Sequence, residues 1–140
     1  MLRAIFLSVG VIVYAFVANA QAAQAQGLPQ RFLGVWQVIE NQTTPCRKSD
    51  WDSNPDDTHV HVSAREFNTG ESYCRISSVR KGKNDSDYSA VRLKLSCSGE
   101  GESWEVTGIW QVTELSGQKI LLAAASSRYG AHITTYRWCP

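Results

Sequence analysis

The sequence has almost no excess of charge, a single methionine, few prolines and no long hydrophobic run after its first 20 residues. Its 14 basic and 13 acidic side chains give a formal charge of +1. A domain so close to neutral has no general electrostatic attraction to nucleic acid or to anionic lipid. We therefore predict that its partner is a protein or a small ligand, and not a nucleic acid.

A helical hydrophobic period is also missing after residue 30. Short runs in which apolar and polar residues alternate are separated instead by Gly, Asn, Asp and Ser. This pattern predicts an all-β domain, an antiparallel meander of seven or eight strands that forms a small barrel, with a β-sandwich as the alternative. Eight strands make the first and last strands antiparallel neighbours, whereas seven make them parallel.

The N-terminal residues have the composition of an export signal. A mostly apolar, uncharged stretch, Ile5–Val17, precedes the small-x-small triplet Ala18–Ala20, and competing cleavage sites reach about residue 25. The apolar stretch is shorter than the roughly 20 residues that cross a bilayer. We expect a signal peptide at 1–20, a flexible leader at 21–30 and one domain at 31–140. The mature chain is then periplasmic or secreted, with no membrane insertion after cleavage.

Four cysteines in an exported chain predict two disulfides. No two of them have the C-x₂₋₄-C spacing of a zinc ligand pair, so disulfides are favoured over a metal site. Antiparallel pairing of the two strands that contain Cys74 and Cys97 places these residues opposite each other. This favours a Cys74–Cys97 bridge and leaves Cys46 to pair with Cys139. The second bridge requires the loop after the first strand to fold back toward the last strand.

The strongest hairpin signal is Val91–Val112, where two alternating runs flank a Ser-Gly-Glu-Gly-Glu turn. If both runs face one core, Leu95 pairs with either Val106 or Trp104, because a shift of one residue turns a strand inside out. The strand that precedes this hairpin is expected to place Arg80 opposite Val91.

Gly34-Val35-Trp36 and Arg137 resemble the calycin pattern of lipocalin-like barrels. In that family a Gly-x-Trp on the first strand is covered by a basic side chain from the last strand. The resemblance implies that Gly34, Trp36 and Arg137 close one end of the barrel, with a cation–π contribution of roughly 1–2 kcal/mol when desolvated. It also implies a carrier of a small apolar ligand as one possible function.

Three further resemblances concern secreted bacterial proteins. Size, export signal and the Gly-x-Trp start are similar to those of small periplasmic barrel inhibitors of bacterial metalloproteases. Ser126–Gly130 (Ser-Ser-Arg-Tyr-Gly) partly resembles the Ser-Gly-x-x-Tyr loop of periplasmic lysozyme inhibitors. The cysteine layout, with Cys-Ser-Gly-Glu-Gly and a final Arg-x-Cys, most resembles short uncharacterised secreted proteins. The two inhibitor resemblances imply binding to an exported hydrolase.

Candidate site residues are few. His59 and His61 share one strand face, about 7 Å apart at their Cα atoms, and could hold a transition metal. A solvent-facing polar side of the strand is the favoured interpretation, so no metal is predicted. Trp51, in a polar loop, and Tyr129, in the loop before the last strand, are candidates for a binding loop.

No stretch of the sequence resembles a nucleophile elbow or a phosphate-binding loop, and the disulfides leave no free thiol. We therefore predict no catalytic residue, no cofactor and no enzyme activity. We predict a monomeric, exported binding protein. The most concrete form of this function is inhibition of an exported hydrolase. The alternatives are a lipocalin-like carrier and an envelope structural or stress protein without a discrete site.

Overall fold

A computed structural model describes residues 27–39, 45–53, 58–82 and 89–140. Within them, eight strands form one closed antiparallel barrel, each strand beside the next along the chain and the last beside the first. The strands are β1 (Gly34–Val38), β2 (His59–Val62), β3 (Glu66–Asn68), β4 (Ser72–Lys81), β5 (Ala90–Gly99), β6 (Glu102–Leu115), β7 (Gln118–Ser127) and β8 (Gly130–Cys139). The all-β barrel is confirmed, with eight strands and not seven.

Alternation along the strands puts one set of side chains inside the barrel. In β5 every second residue from Val91 to Cys97 is buried and the residues between them are exposed. The interior is one continuous apolar cluster. Its fully buried members include Phe32, Trp36, Leu93 and Leu121.

The predicted register of β4 against β5 is confirmed from Cys74 to Ile76 and is wrong after Ile76. Cys74 lies opposite Cys97, and Leu95 lies opposite Val106. A bulge between Ile76 and Ser78 then shifts β4 by one residue, so that Arg80 lies opposite Arg92 and not opposite Val91. An extra residue in one strand is the physical reason for the shift, and uniform alternation does not reveal it.

Both predicted disulfides are present, Cys74–Cys97 and Cys46–Cys139. Two disulfides are consistent with an oxidising, extracellular compartment. Cys46 lies beside Cys139 at the end of β8, in a small buried cluster with Val35. A short helix, α1 (Lys48–Ser53), follows Cys46 and contacts β1 and β2. The sequence analysis did not predict this helix.

The folded domain begins earlier than predicted. Leu28, placed in the flexible leader, is only 5% exposed and belongs to the core cluster. Its N–H donates to the carbonyl of Ala64, at 2.8 Å. A 3₁₀ turn, Gln30–Phe32, then leads into β1. Among the residues in view, no helix has the length and apolar character needed to cross a membrane.

Candidate functional site

One end of the barrel carries an exposed aromatic and acidic surface, which we call the rim. It is formed where β4, β6 and β8 begin and where β5 and β7 end. An open depression of about 550 Å³ lies within it. The residues lining the depression are Thr69, Glu71, Ser72, Gly99, Glu100, Glu102, Trp104 and Tyr129.

Two tight turns build the rim. Between β5 and β6, Gly99 pairs with Glu102, which leaves Glu100 and Gly101 as a two-residue turn with φ of 48° and 81°. Two positive φ values in succession are those of a type I′ hairpin turn, whose twist matches that of the flanking strands. Between β7 and β8, Arg128 and Tyr129 project from a second two-residue turn.

Tyr129 is 64% exposed, yet it is held from several sides. Its hydroxyl donates to Oε2 of Glu102 and accepts from Arg128, whose guanidinium also donates to Glu102 at 2.6 Å. The same guanidinium lies 4.8 Å from the centre of the Tyr129 ring. Trp104 meets this ring edge-on, with centroids 6.0 Å apart. The phenol is therefore presented to solvent in one orientation.

Electrostatics keep this cluster charged. The hydrogen bond from Tyr129, followed by the nearby charge of Arg128, holds the pKa of Glu102 below its ordinary value of 4.5. Tyr129 likewise raises the pKa of Arg128, so both groups are ionised at neutral pH. Around the depression Glu71, Glu100 and Glu102 outnumber Arg128, which makes the rim negative.

The second predicted binding residue, Trp51, lies elsewhere. It is half-buried on α1, packs against the outer cluster that contains Val35 and Cys139, and stacks on His61 at 5.8 Å. This is a packing role on the outside of β1 and β2. The structure therefore does not bring Trp51 and Tyr129 together into one binding loop.

The histidine pair is covered and does not face solvent as predicted. His59 is only 7% exposed and its Nδ1 lies 3.1 Å from Oγ1 of Thr58, while His61 lies beneath Trp51. For His61 the cause is α1, whose Trp51 stacks on its ring. Asp56 and Asp57, two carboxylates close upstream that could complete a metal site with this pair, lie outside the described residues. Over the described part of the chain no three potential ligands cluster in a metal-binding arrangement.

The opposite end of the barrel is closed, and there one prediction is corrected. The cation over Trp36 is Lys119, 5.1 Å from the ring centre and 5.2 Å from that of Trp138. Arg137 lies on the outer face and donates from Nε to Oε1 of Gln37, at 2.9 Å. Alternation is the reason, because Trp138 and Tyr136 face inward and the residue between them must face outward.

Gly34 is essential to this closed end. Its φ is +126°, and a Cβ added there would lie 2.8 Å from Nε1 of Trp138, so only glycine fits at this position.

The polar groups at the closed end are partly or fully shielded from solvent. Burial, followed by the charge of Arg31, lowers the pKa of Lys119. The Trp36 indole N–H donates to the carbonyl of Phe32 at 2.9 Å, so that its own polar group is satisfied.

The chain matches no protein-family model, no curated protein and no solved structure. Function must therefore be argued from the site itself. The lipocalin-like and inhibitor resemblances stay predictions.

Sequence reasoning missed Glu102, Arg128 and Trp104 as partners of Tyr129. One signal was available: Trp104 and Glu102 follow the predicted hairpin turn, and Arg128 precedes Tyr129 directly. What the sequence does not show is that Glu102 and Arg128, 26 residues apart, meet at the same end of the barrel.

Proposed function

We propose that this protein is an exported, non-enzymatic binding protein that attaches to a partner protein through its rim, as an inhibitor of an exported hydrolase. The observation that carries the proposal is Tyr129, a large aromatic side chain that is both exposed and fixed. Tyrosine is among the residues that contribute most binding energy at protein interfaces.

The fixed orientation of Tyr129 favours tight binding. A side chain that is free in solution loses rotamer entropy of about 0.5–1.5 kcal/mol when a partner immobilises it. The contacts from Glu102, Arg128 and Trp104 already restrict this ring in the free protein. Both turns are two residues long and belong to a closed barrel, so the supporting backbone is also rigid.

The negative charge of the rim indicates the chemistry of the partner. With Glu71, Glu100 and Glu102 around the depression, a partner surface rich in Lys or Arg is complementary. Complementary charge mainly raises the association rate and excludes partners of the wrong sign. We therefore expect a basic hydrolase in preference to an acidic one.

The carrier alternative has less support. Side chains of one continuous cluster occupy the barrel interior, from Trp36 at the closed end to Trp104 near the rim. The large surface depressions are open ones, on the rim or on the outer wall. An enclosed ligand needs an interior cavity lined mostly by apolar groups.

A titration of purified exported hydrolases, basic and acidic, tests this function. We expect loss of activity at one-to-one stoichiometry for at least one basic enzyme, with Tyr129→Ala weakening the complex about 30-fold or more, as is typical of an interface hot spot. Ile133→Ser, an equally exposed change on the outer wall, is the matched control.

Two results would count against the proposal. One is a panel in which no hydrolase binds or loses activity. The other is a complex that Tyr129→Ala and Ile133→Ser weaken to the same extent, since the rim is then not the contact surface.

A further inference from the structure

A second surface lies on the outer wall, away from the rim. Arg80, Arg92, Ile109, Ala124 and Ile133 occupy successive positions of one cross-strand row, from β4 to β8. Arg92 and Ile109 point outward, because the residues on both sides of each are buried, and directly paired residues of neighbouring strands share a face of the sheet. We call this row the outer row. Its first two residues are basic and its last three are apolar, and we call these the basic half and the apolar half.

The basic half has no acidic partner among the residues that the structure describes. Arg80 and Arg92 lie directly opposite each other, and in the described part of the chain neither pairs with a carboxylate. Like charges directly opposite on neighbouring strands destabilise a sheet. Lys94, two residues from Arg92 on the same face, adds a third cation. An anion bound from outside would remove this repulsion.

The apolar half is exposed. Ile109 is 52% exposed and Ile133 is 75% exposed, on either side of the small side chain of Ala124. Together they bound an open, mostly apolar depression of about 600 Å³, which Arg92 also lines. A basic depression of about 520 Å³ adjoins it and shares Arg92 and Ile109. Arg92 and Ile109 therefore lie at the boundary between the two depressions.

We propose that the outer row binds the surface of an anionic lipid bilayer. Interfacial attachment needs apolar side chains that enter the acyl boundary and cations that meet the headgroups beside them. Ile109 lies at the centre of the row, so it and Ile133 enter the bilayer, while the long side chains of Arg92 and Arg80 reach round the barrel to the phosphates.

This attachment leaves the rim accessible. Ile109 lies midway along β6, between Glu102 at the rim and Leu115 at the other end. A barrel that rests on the outer row has its axis along the membrane, and Tyr129 projects from one end. The near-zero net charge concealed this surface, because net charge does not report how charges are distributed.

Sedimentation with phosphatidylcholine vesicles, with and without phosphatidylglycerol, tests the proposal on the mature chain. We expect binding only when phosphatidylglycerol is present, and weaker binding as salt is added. Arg80→Gln with Arg92→Gln should lower the partition coefficient about 25-fold, at about five-fold for each charge. Ile133→Ser should lower it by about ten-fold through lost apolar burial.

Matched controls come from other parts of the surface. Arg47→Gln with Lys48→Gln removes the same charge beside and on α1, and Leu115→Ser removes an equally exposed apolar side chain from the β6–β7 turn. Both should bind as the wild type does. Tyr129→Ala should also bind normally, which separates this surface from the rim function.

Several outcomes would overturn the proposal. These are equal binding to both kinds of vesicle, no binding to either, or equal losses in the α1 control and the Arg80/Arg92 variant. A dimer in solution that Ile133→Ser dissociates would assign the outer row to contact between two copies. Because all substituted side chains are exposed, thermal unfolding should show that each variant is folded.

Discussion

The disulfide between Cys46 and Cys139 should contribute a large part of the stability. It joins residues 93 apart in the chain, whereas Cys74 and Cys97 are 23 apart. Loop-closure entropy in the unfolded chain gives about 4.6 kcal/mol for the longer bridge and about 3.4 kcal/mol for the shorter one. Domains of this size are typically stable by about 5–15 kcal/mol, so Cys46→Ala with Cys139→Ala should approach the limit of folding.

Urea unfolding without added oxidant or reductant measures this loss of stability. With an m-value of about 1.5 kcal/mol/M, loss of the longer bridge should lower the midpoint by roughly 3 M. The m-value should rise as well, because an unfolded chain without the bridge exposes more surface. Cys74→Ala with Cys97→Ala is the comparison, and should lose about 1 kcal/mol less.

The order of the two losses shows whether loop-closure entropy or core packing dominates the effect of the disulfides. If local packing in the core dominated, the bridge inside the barrel would cost more to remove than the one on the outer wall. A loss below about 2 kcal/mol for the Cys46/Cys139 variant, with an unchanged m-value, would refute the loop-entropy argument.

Three further predictions concern the closed end and the rim. Gly34→Ala should lower the free energy of unfolding by about 2–4 kcal/mol, because of the positive φ of Gly34 and its close approach to Trp138. Gly117→Ala, at a positive φ with open space around it, should lower it by about 1 kcal/mol. Similar losses in thermal unfolding of the two variants would contradict this. Burial lowers the pKa of Lys119, so stability should rise as pH increases from that lowered pKa toward 10.5, and Lys119→Met should remove this rise in pH-dependent unfolding. The hydrogen bond from Tyr129, followed by the charge of Arg128, lowers the pKa of Glu102, so in a titration from neutral to acidic pH the NMR ring signals of Tyr129 should shift only below pH 4.5, and Glu102→Gln should abolish this shift.

Local patterns predicted the central part of the barrel well. Alternation alone identified Leu95 opposite Val106 as one of two registers, and pairing of the neighbouring strands predicted Cys74 opposite Cys97. These features depend on residues close in sequence and on a period of two. The bulge near Ser77 depends on how the twisted strands fit together, so it left no trace in the pattern.

The functional surfaces were harder to predict, because each combines distant segments. Tyr129 was selected as a candidate, but its support from Glu102 needed the closed topology. The cation over Trp36 is Lys119 and not Arg137. Alternation along β8 places Arg137 on the outer face, where it contacts Gln37. A helix of six residues, α1, is too short to show a hydrophobic period, and it moved Trp51 into a packing role.

We have proposed that the rim is the contact surface for a hydrolase. Hydrogen exchange of this protein, measured alone and with a hydrolase that forms a one-to-one complex with it, locates the contact surface. We expect slowed exchange at the β5–β6 and β7–β8 turns, around Glu102 and Tyr129, with no change at the β6–β7 turn near Leu115. Protection confined to the outer wall or to the closed end, with the rim unaffected, would contradict it.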